Sequence, residues 1–225
     1  MKRYLWIFAV LPFLWSCIAE DRSACPQPRG VSVRMSVCPD PMTAVTHAAD
    51  EEAIRDLNLY LLDADRNVVL HRYQSSPTLR FECLPGDYLL RIAANMGRDT
   101  GDSPAWENLA VTHADDYDTL PMAYEGEVSI PSSDETVTLP TVEVQRVVAK
   151  VTYNISVAPD AGDIRLHSVQ PVNLPARMPV FDPGRRAAEY TAGEIVGSSS
   201  QTLTGTFYML PNPVSYTHLT LPTKA

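Results

Sequence analysis

Residues 146–157 read Arg-Val-Val-Ala-Lys-Val-Thr-Tyr-Asn-Ile-Ser-Val, and this stretch decides the fold class. Apolar and polar side chains alternate along it, with Val148 as the one exception. Because successive side chains of a β-strand point to opposite faces, a period of two predicts a strand with one buried face. The predicted buried face consists of Val147, Ala149, Val151, Tyr153, Ile155 and Val157.

The same signal recurs towards the N-terminus. Residues 31–37 and 79–83 alternate in the same way, and residues 57–62, Leu-Asn-Leu-Tyr-Leu-Leu, form a fuller apolar run that is typical of a strand buried on both faces. Pro-rich turns separate these segments, and the one helical turn that we predict covers residues 50–56. The pattern predicts an all-β fold of the β-sandwich type.

We divide the predicted fold into two β-sandwich domains, over residues 30–140 and 141–213, with a boundary near Pro140. Residues 98–122 are rich in Asp and weakly patterned, and residues 177–200 contain Pro, Gly and a run of Ser. Both segments are therefore predicted to be long surface loops.

Residues 1–16 resemble a bacterial signal peptide. Two basic residues precede an apolar run over residues 4–15, which is shorter than the about 20 residues that a transmembrane helix needs. The run ends in Leu-Trp-Ser-Cys, which resembles a lipobox with cleavage between Ser16 and Cys17. Residues 17–29 would then form a lipidated linker.

A lipid on Cys17 would determine the location of the protein. Acyl chains contribute about 0.8 kcal/mol for each buried CH₂ group, and stable anchoring takes more than one chain, which a triacylated cysteine supplies. The acidic pair of Glu20 and Asp21 resembles a surface-export signal of some Gram-negative lipoproteins, although a solvated linker has the same composition. We therefore expect a lipid anchor in the outer membrane and exposure at the cell surface.

The composition argues against one class of partner. Asp and Glu number 27 against 18 Lys and Arg, and the formal net charge is −9. Nucleic-acid binding needs a basic surface patch, so we expect no nucleic-acid partner.

Residues 214–225 do not resemble native protein. The peptide Val-Ser-Tyr-Thr-His-Leu-Thr-Leu-Pro-Thr matches the translation of a transposase-based sequencing adapter, although a native β-strand has a similar composition. Scars of this kind are left out of fold reasoning. We expect the native sequence to continue past about Pro213, and the second domain to be incomplete in this chain.

The sequence contains no recognisable catalytic, cofactor-binding or metal-binding motif, so we predict no enzyme, no cofactor and no metal site. Residues 63–67 read Asp-Ala-Asp-Arg-Asn, which has the spacing of a calcium loop. An EF-hand requires Gly at the sixth position and Glu at the twelfth, where this chain has Val68 and Gln74. We therefore predict a hairpin turn.

Three cysteines remain besides Cys17. Cys83 lies on the apolar face of its strand and is predicted to be a buried thiol. Cys25 and Cys38 bracket the first strand, and an extended strand would hold them beyond the about 7 Å that a disulfide allows between Cα atoms. A bridge from either of them to a neighbouring strand stays open.

Several segments, in their order along the chain, resemble the fimbrillin superfamily of outer-membrane lipoproteins, in its fimbrial anchor or minor-fimbrium branch. The Asp-Arg-Ser-Ala-Cys-Pro start resembles the beginning of an anchor, and the Arg-x-x-Ala-Lys pattern resembles a recurring strand of the superfamily. The segments are residues 21–26, 57–65, 84–88, 94–97, 146–151 and 208–212.

The resemblance implies two transthyretin-like, Greek-key β-sandwich domains. It also implies a structural role, in which the protein anchors or forms part of surface fimbriae that mediate adhesion. The implied partners are fimbrial subunits and a host surface ligand. Subunits of the superfamily join by strand complementation, in which an extended segment of one subunit completes the open sheet of the next.

Two branches of the superfamily remain open. An anchor keeps its lipid on Cys17, whereas a polymerising shaft pilin is cut after an arginine, for which Arg22 and Arg29 are the candidates. The Cys25-Pro26 start resembles the anchor branch more closely.

A surface glycan-binding lipoprotein is an alternative of a different class. Such a protein presents exposed aromatic side chains to the sugar rings. Trp106 and Tyr117 lie in the predicted loop over residues 98–122 and are the candidates, although loop aromatics also serve local packing.

Overall fold

The computed structural model describes residues 29–41 and 53–212. Their regular structure consists of β-strands alone, which confirms the all-β prediction. The predicted signal peptide, Ser16, Cys17, Arg22, Cys25 and the adapter-like tail lie outside the described residues. The strands are β1 (Val31–Pro39), β2 (Leu57–Leu62), β3 (Val68–Gln74), β4 (Thr78–Cys83), β5 (Gly86–Ala94), β6 (Ala110–Thr112), β7 (Met122–Ile130), β8 (Val137–Thr138), β9 (Val142–Arg146), β10 (Ala149–Ser156), β11 (Leu166–Val169), β12 (Leu174–Pro175), β13 (Arg177–Pro179), β14 (Tyr190–Thr191), β15 (Val196–Ser200) and β16 (Thr202–Met209).

The largest sheet has the strand order β3-β2-β5-β7-β9-β1-β4, with β8 beside β1. Its neighbours are antiparallel, except that β1 runs parallel to both β8 and β9. Every residue of β2 is buried, which confirms the prediction made from the apolar run over residues 57–62.

Both faces of β2 are covered, and this explains why apolar residues occur on both of them. The polar exception, Asn58, is buried and hydrogen-bonded to the backbone of Arg98 and Thr100. Leu57, Leu59 and Leu61 belong to one cluster, while Tyr60 and Leu62 belong to the other. We call these clusters the inner core and the outer core. The inner core also includes Val31, Val33, Met35, Val37, Leu79, Phe81, Leu90, Ile92, Met122, Ile130 and Val144, and the outer core includes Leu109, Val111, Leu120, Met178, Val180, Ala187 and Leu210.

The expectation of a surface loop over residues 98–122 is wrong. The segment contains β6, and its apolar residues Leu109, Val111 and Leu120 are buried in the outer core. The abundant aspartates mark the solvent side of the segment, whereas these widely spaced apolar residues cover the second face of the sheet.

Residues 177–200 are also more ordered than predicted. β13 pairs with β6, and Met178, Val180 and Ala187 are buried in the outer core. The pairing strands lie far apart in sequence, so a local pattern does not reveal them.

The strand predicted over residues 146–157 is confirmed as β10, but its burial differs from the prediction. β10 pairs with β16 as a two-stranded ribbon, and Ile155 is 39% exposed. Val148, the exception to the alternation, is only 3% exposed. Residues 147–148 precede the strand and enter the outer core, where the Val147 amide donates a hydrogen bond to the Pro121 carbonyl at 2.9 Å.

The helical turn predicted over residues 50–56 is not found in its described part, residues 53–56. The Asn95 side chain forms hydrogen bonds with the backbone of Ala53 and Arg55, and the backbone N–H of Asn95 donates to the Asp56 carbonyl. The backbone groups of residues 53–56 therefore bond to Asn95 instead of forming a helical turn.

The hairpin turn over residues 63–67 is confirmed. One carboxylate oxygen of Asp63 accepts hydrogen bonds from the amides of Asp65 at 2.9 Å and Asn67 at 2.8 Å, and the other accepts from the Asn67 side chain. Arg66 adopts a φ of +67° between them. Both carboxylate oxygens of Asp63 therefore accept hydrogen bonds within the turn, which connects β2 with β3.

The two-domain division remains a proposal, and the strand pairing bears on where it would fall. β9 begins after the predicted boundary at Pro140, yet it pairs with β1 and β7 of the large sheet. We propose a boundary between Arg146 and Ala149, where the chain leaves that sheet.

Candidate functional site

The large sheet has a gap between β7 and β9. These strands pair at only two positions, Met122 with Arg146 and Ala123 with Gln145, and then diverge. From residue 124 to 130, β7 pairs with β5 on one side, and no strand of the described residues pairs with it on the other. We call the space between β7 and the segment over residues 139–146 the β7–β9 cleft.

The floor of the cleft is apolar. The cleft has a volume of about 750 Å³, and Met35 and Leu90 of the inner core line it. Tyr124 and Val128 point inward from β7 and are half-buried, whereas Met122 and Ile130 on the same face are fully buried. Since Met35 and Leu90 are only 1% and 2% exposed, the apolar surface that the cleft exposes comes from Tyr124 and Val128 at the middle of β7.

The rim of the cleft is acidic. Glu125 and Glu127 project from the outward face of β7, and Glu143 projects from the outward face of β9. Glu125 forms an ion pair with Arg91, whose Nε lies 2.6 Å from the carboxylate. The lining also includes Asp40, Arg146, Val180, Phe181, Pro183 and Pro211.

Gly126 lies at the middle of the open β7 edge. A Cβ at this position would collide with the phenol ring of Tyr124, which lies over the glycine. The ring therefore occupies the space that a side chain at this position would need.

β7 is not among the strands predicted from the sequence, and its cleft residues were therefore missed. The signal is present: Met122, Tyr124, Val128 and Ile130 alternate with polar or small residues. Gly126 interrupts the apolar series, and the Asp-rich segment before it suggests a loop.

The geometry of the cleft suits an extended peptide. An unpaired strand edge presents free backbone donors and acceptors, and a strand added there gains main-chain hydrogen bonds while alternate side chains fill pockets. In residues 29–41 and 53–212, no group of three or more His, Cys, Asp or Glu side chains is arranged to hold a metal ion. No helix of the same residues has the length and apolar character needed to cross a membrane.

Of the predicted maturation sites, only Arg29 lies in the described residues. Its side chain is 89% exposed, and it lies 3.9 Å from the Asp134 carboxylate, which is equally exposed. Such a pair contributes little to stability. Arg29 directly precedes β1 and is accessible.

Cys38 and Cys83 are free thiols. Burial raises the pKa of the Cys38 thiol, and the carboxylates of Glu143 and Asp40 raise it further. Burial also raises the pKa of the Cys83 thiol. Cys83 packs against the inner core as predicted, but its side chain is only partly buried.

The two candidate glycan-binding aromatics do not form an exposed platform. Trp106 packs edge-on against Tyr60 and Phe181, and the Arg91 guanidinium lies 4.4 Å from the centre of its ring. Tyr117 packs edge-on against a tyrosine of β16 and donates its hydroxyl proton to a backbone carbonyl. Both rings are partly buried against the outer core.

Replacing Trp106 with alanine is expected to lower the free energy of unfolding by about 2–3 kcal/mol, because a packed aromatic side chain is removed from the outer core. Urea denaturation followed by circular dichroism measures the change. Tyr73→Ala is the control, since Tyr73 is 42% exposed and its loss is expected to cost less than about 1 kcal/mol. Unchanged stability of the Trp106 variant, together with lost binding on a glycan array, would instead support the glycan-binding alternative.

A scan against protein-family models and a search of the curated proteins both found no match. Solved structures share the fold. A candidate cell adhesion protein from Bacteroides eggerthii has a TM-score of 0.57 at 13% identity, over 81% of this chain and 70% of that chain. A candidate adhesin from Bacteroides thetaiotaomicron has a TM-score of 0.55 at 12% identity, over 85% of this chain and 74% of that chain.

The fimbrial anchor protein Mfa2 from Porphyromonas gingivalis is a further structural neighbour. Its TM-score is 0.52 at 12% identity, and the similarity covers 83% of this chain and 75% of that chain. At these identities the similarity shows a shared fold, and at that level it confirms the resemblance that the sequence segments indicate.

Proposed function

We propose that this chain is an outer-membrane lipoprotein that anchors a surface fimbrium, with lipid on Cys17 and a fimbrial subunit joined to it by strand complementation. The β7–β9 cleft is the observation that carries the proposal, because it combines an unpaired strand edge with an apolar floor. The fold that the chain shares with a fimbrial anchor protein supports the same role.

The cleft gives the strand-complementation proposal a physical basis. A strand inserted along residues 124–130 would bond to the free edge of β7 and place alternate side chains over Leu90 and Met35. Insertion would remove apolar surface from water, which contributes about 25 cal/mol for each Å² buried. It would also cover an edge that is otherwise open to unwanted pairing.

The position of β1 favours the anchor over the shaft pilin. β1 begins at Val31, so a cut after Arg22 or Arg29 would leave the strand attached to the chain. Val31, Val33 and Met35 are buried in the inner core, and β1 pairs with β4 over residues 31–36 and with β9 over residues 37–39. Cleavage at either arginine would therefore remove the lipid attachment site and leave every strand of the described residues in place.

The mature N-terminus separates the two readings. Mass spectrometry of the protein purified from the outer membrane is expected to find a chain that begins at Cys17 and carries acyl groups. Residues 1–16 would be absent from it. An unlipidated chain that begins at Ser23 or Gly30 would contradict the anchor and favour the shaft pilin matured by Arg-specific cleavage.

A further inference from the structure

We infer that the β7–β9 cleft selects a partner strand that alternates apolar side chains with Lys or Arg. The inference rests on the proposed function, in which this cleft receives a strand of a fimbrial subunit. Beyond that function, it specifies which kinds of side chain the partner strand carries.

The inward side chains of the inserted strand must be apolar. They would lie between Tyr124 and Val128 of β7 on one side and Val142 of β9 on the other. Met35 and Leu90 lie beneath them. A polar group at these positions would lose its water without gaining a hydrogen bond, which costs free energy.

The outward side chains face a different surface. They would lie between Glu125 and Glu127 on β7 and Glu143 on β9, because neighbouring residues of a sheet share a face. Four carboxylates line the cleft, from Asp40, Glu125, Glu127 and Glu143. Two guanidinium groups offset part of this charge, because Arg146 lines the cleft and Arg91 pairs with Glu125. Opposite charges on adjacent strands stabilise a sheet and like charges destabilise it, so the rim favours a basic strand and disfavours an acidic one.

The outer core limits how far the strand can extend. Val180, Phe181 and Pro183 line the cleft. Phe181 packs against Arg91, which pairs with Glu125, two residues beyond the last β7–β9 pair at Ala123. The open length of β7 runs from residue 124 to residue 130, so the inserted segment spans about seven residues, because paired strands have nearly the same rise per residue.

The test uses the full-length chain in detergent and fluorescent synthetic peptides of eight residues. Three peptides share valine at alternate positions and carry Lys, Glu or Thr at the others. A fourth peptide contains the residues of the Lys peptide in scrambled order, which removes the alternation. Fluorescence anisotropy measures the dissociation constants at low and at high salt.

We expect the Lys peptide to bind at least tenfold more tightly than the Glu peptide, with the Thr peptide between them. The difference should shrink at about 0.5 M salt, because salt screens exposed charges. The double variant Glu127→Lys with Glu143→Lys should reverse the preference. The control is Glu107→Lys with Glu194→Lys, which makes the same change in charge at exposed positions outside the cleft and should leave the preference intact.

The outcomes separate this inference from the proposed function. If none of the alternating peptides binds, the strand-accepting role of the cleft is wrong. If the Lys and Glu peptides bind equally, strand acceptance stands and the charge preference is overturned. A scrambled Lys peptide that binds as well as the alternating one, or a control variant that also reverses the preference, would assign the effect to general surface charge and overturn the inference.

Discussion

Replacing Asn95 with alanine is expected to lower the free energy of unfolding by about 3–4 kcal/mol. The Asn95 side chain is 9% exposed and makes three hydrogen bonds to backbone groups of other segments. Its oxygen accepts from the Arg55 amide at 2.8 Å, and its nitrogen donates to the carbonyls of Ala53 at 3.0 Å and Leu120 at 2.9 Å. Each bond that is lost leaves a backbone group short of a partner, at a cost of about 1 kcal/mol or more.

The backbone adds to this cost. Asn95 has a φ of +59°, in the left-handed region that asparagine tolerates better than alanine. Asn173 provides the matched control, because it is exposed and has a φ of +58°. Asn173→Ala should therefore carry the backbone cost alone, about 1 kcal/mol.

Chemical denaturation of both variants measures the difference. If the two variants lose the same stability, the three hydrogen bonds of Asn95 contribute nothing and the explanation is wrong. The Asn95 contacts also hold Leu120 close to the start of β7, so Asn95→Ala is expected to weaken peptide binding in the β7–β9 cleft as well.

Replacing Cys17 with alanine is expected to remove most of the protein from the outer-membrane fraction and to detach fimbriae from the cell. The acyl chains would supply the membrane affinity, at about 0.8 kcal/mol for each buried CH₂ group, and without the thiol they have no attachment point. Immunoblots of fractionated cells and electron microscopy of fibres measure the two effects.

Cys38→Ala is the control for the Cys17 experiment. Cys38 lies on β1 as a free thiol, so its loss should leave both the membrane fraction and the fibres unchanged. If the Cys17 variant stays in the outer membrane and retains its fibres, the lipid does not anchor the fimbrium. The shaft-pilin and glycan-binding alternatives would then gain support.

Strands were predictable where the alternation is regular. Residues 31–37 alternate without interruption and form β1, and residues 57–62 form a strand whose two faces are both covered. The Asp63 turn was predictable as well, because a carboxylate that caps backbone amides two and four residues ahead depends on local sequence alone.

Short strands that pair over long distances were not predictable. β6 and β13 have three residues each, and neither shows a usable alternation. They form because Val111 and Met178 cover the outer face of the large sheet, which would otherwise be in contact with water. The exposure of the apolar face of β10 was not predictable either. Alternation shows which face of a strand is apolar, but it does not show whether another segment covers that face.

The sequence by itself was enough to predict β1, β2 and the Asp63 turn, and it is the basis of the proposed lipid on Cys17. Each of these features depends on a few neighbouring residues, so the local sequence is enough to predict it. Only the tertiary structure decided that, within residues 29–41 and 53–212, β7 has an open edge above an apolar floor. That edge exists because β9 leaves β7 after the Met122–Arg146 and Ala123–Gln145 pairs to join β1, and such a choice depends on how distant segments pack together.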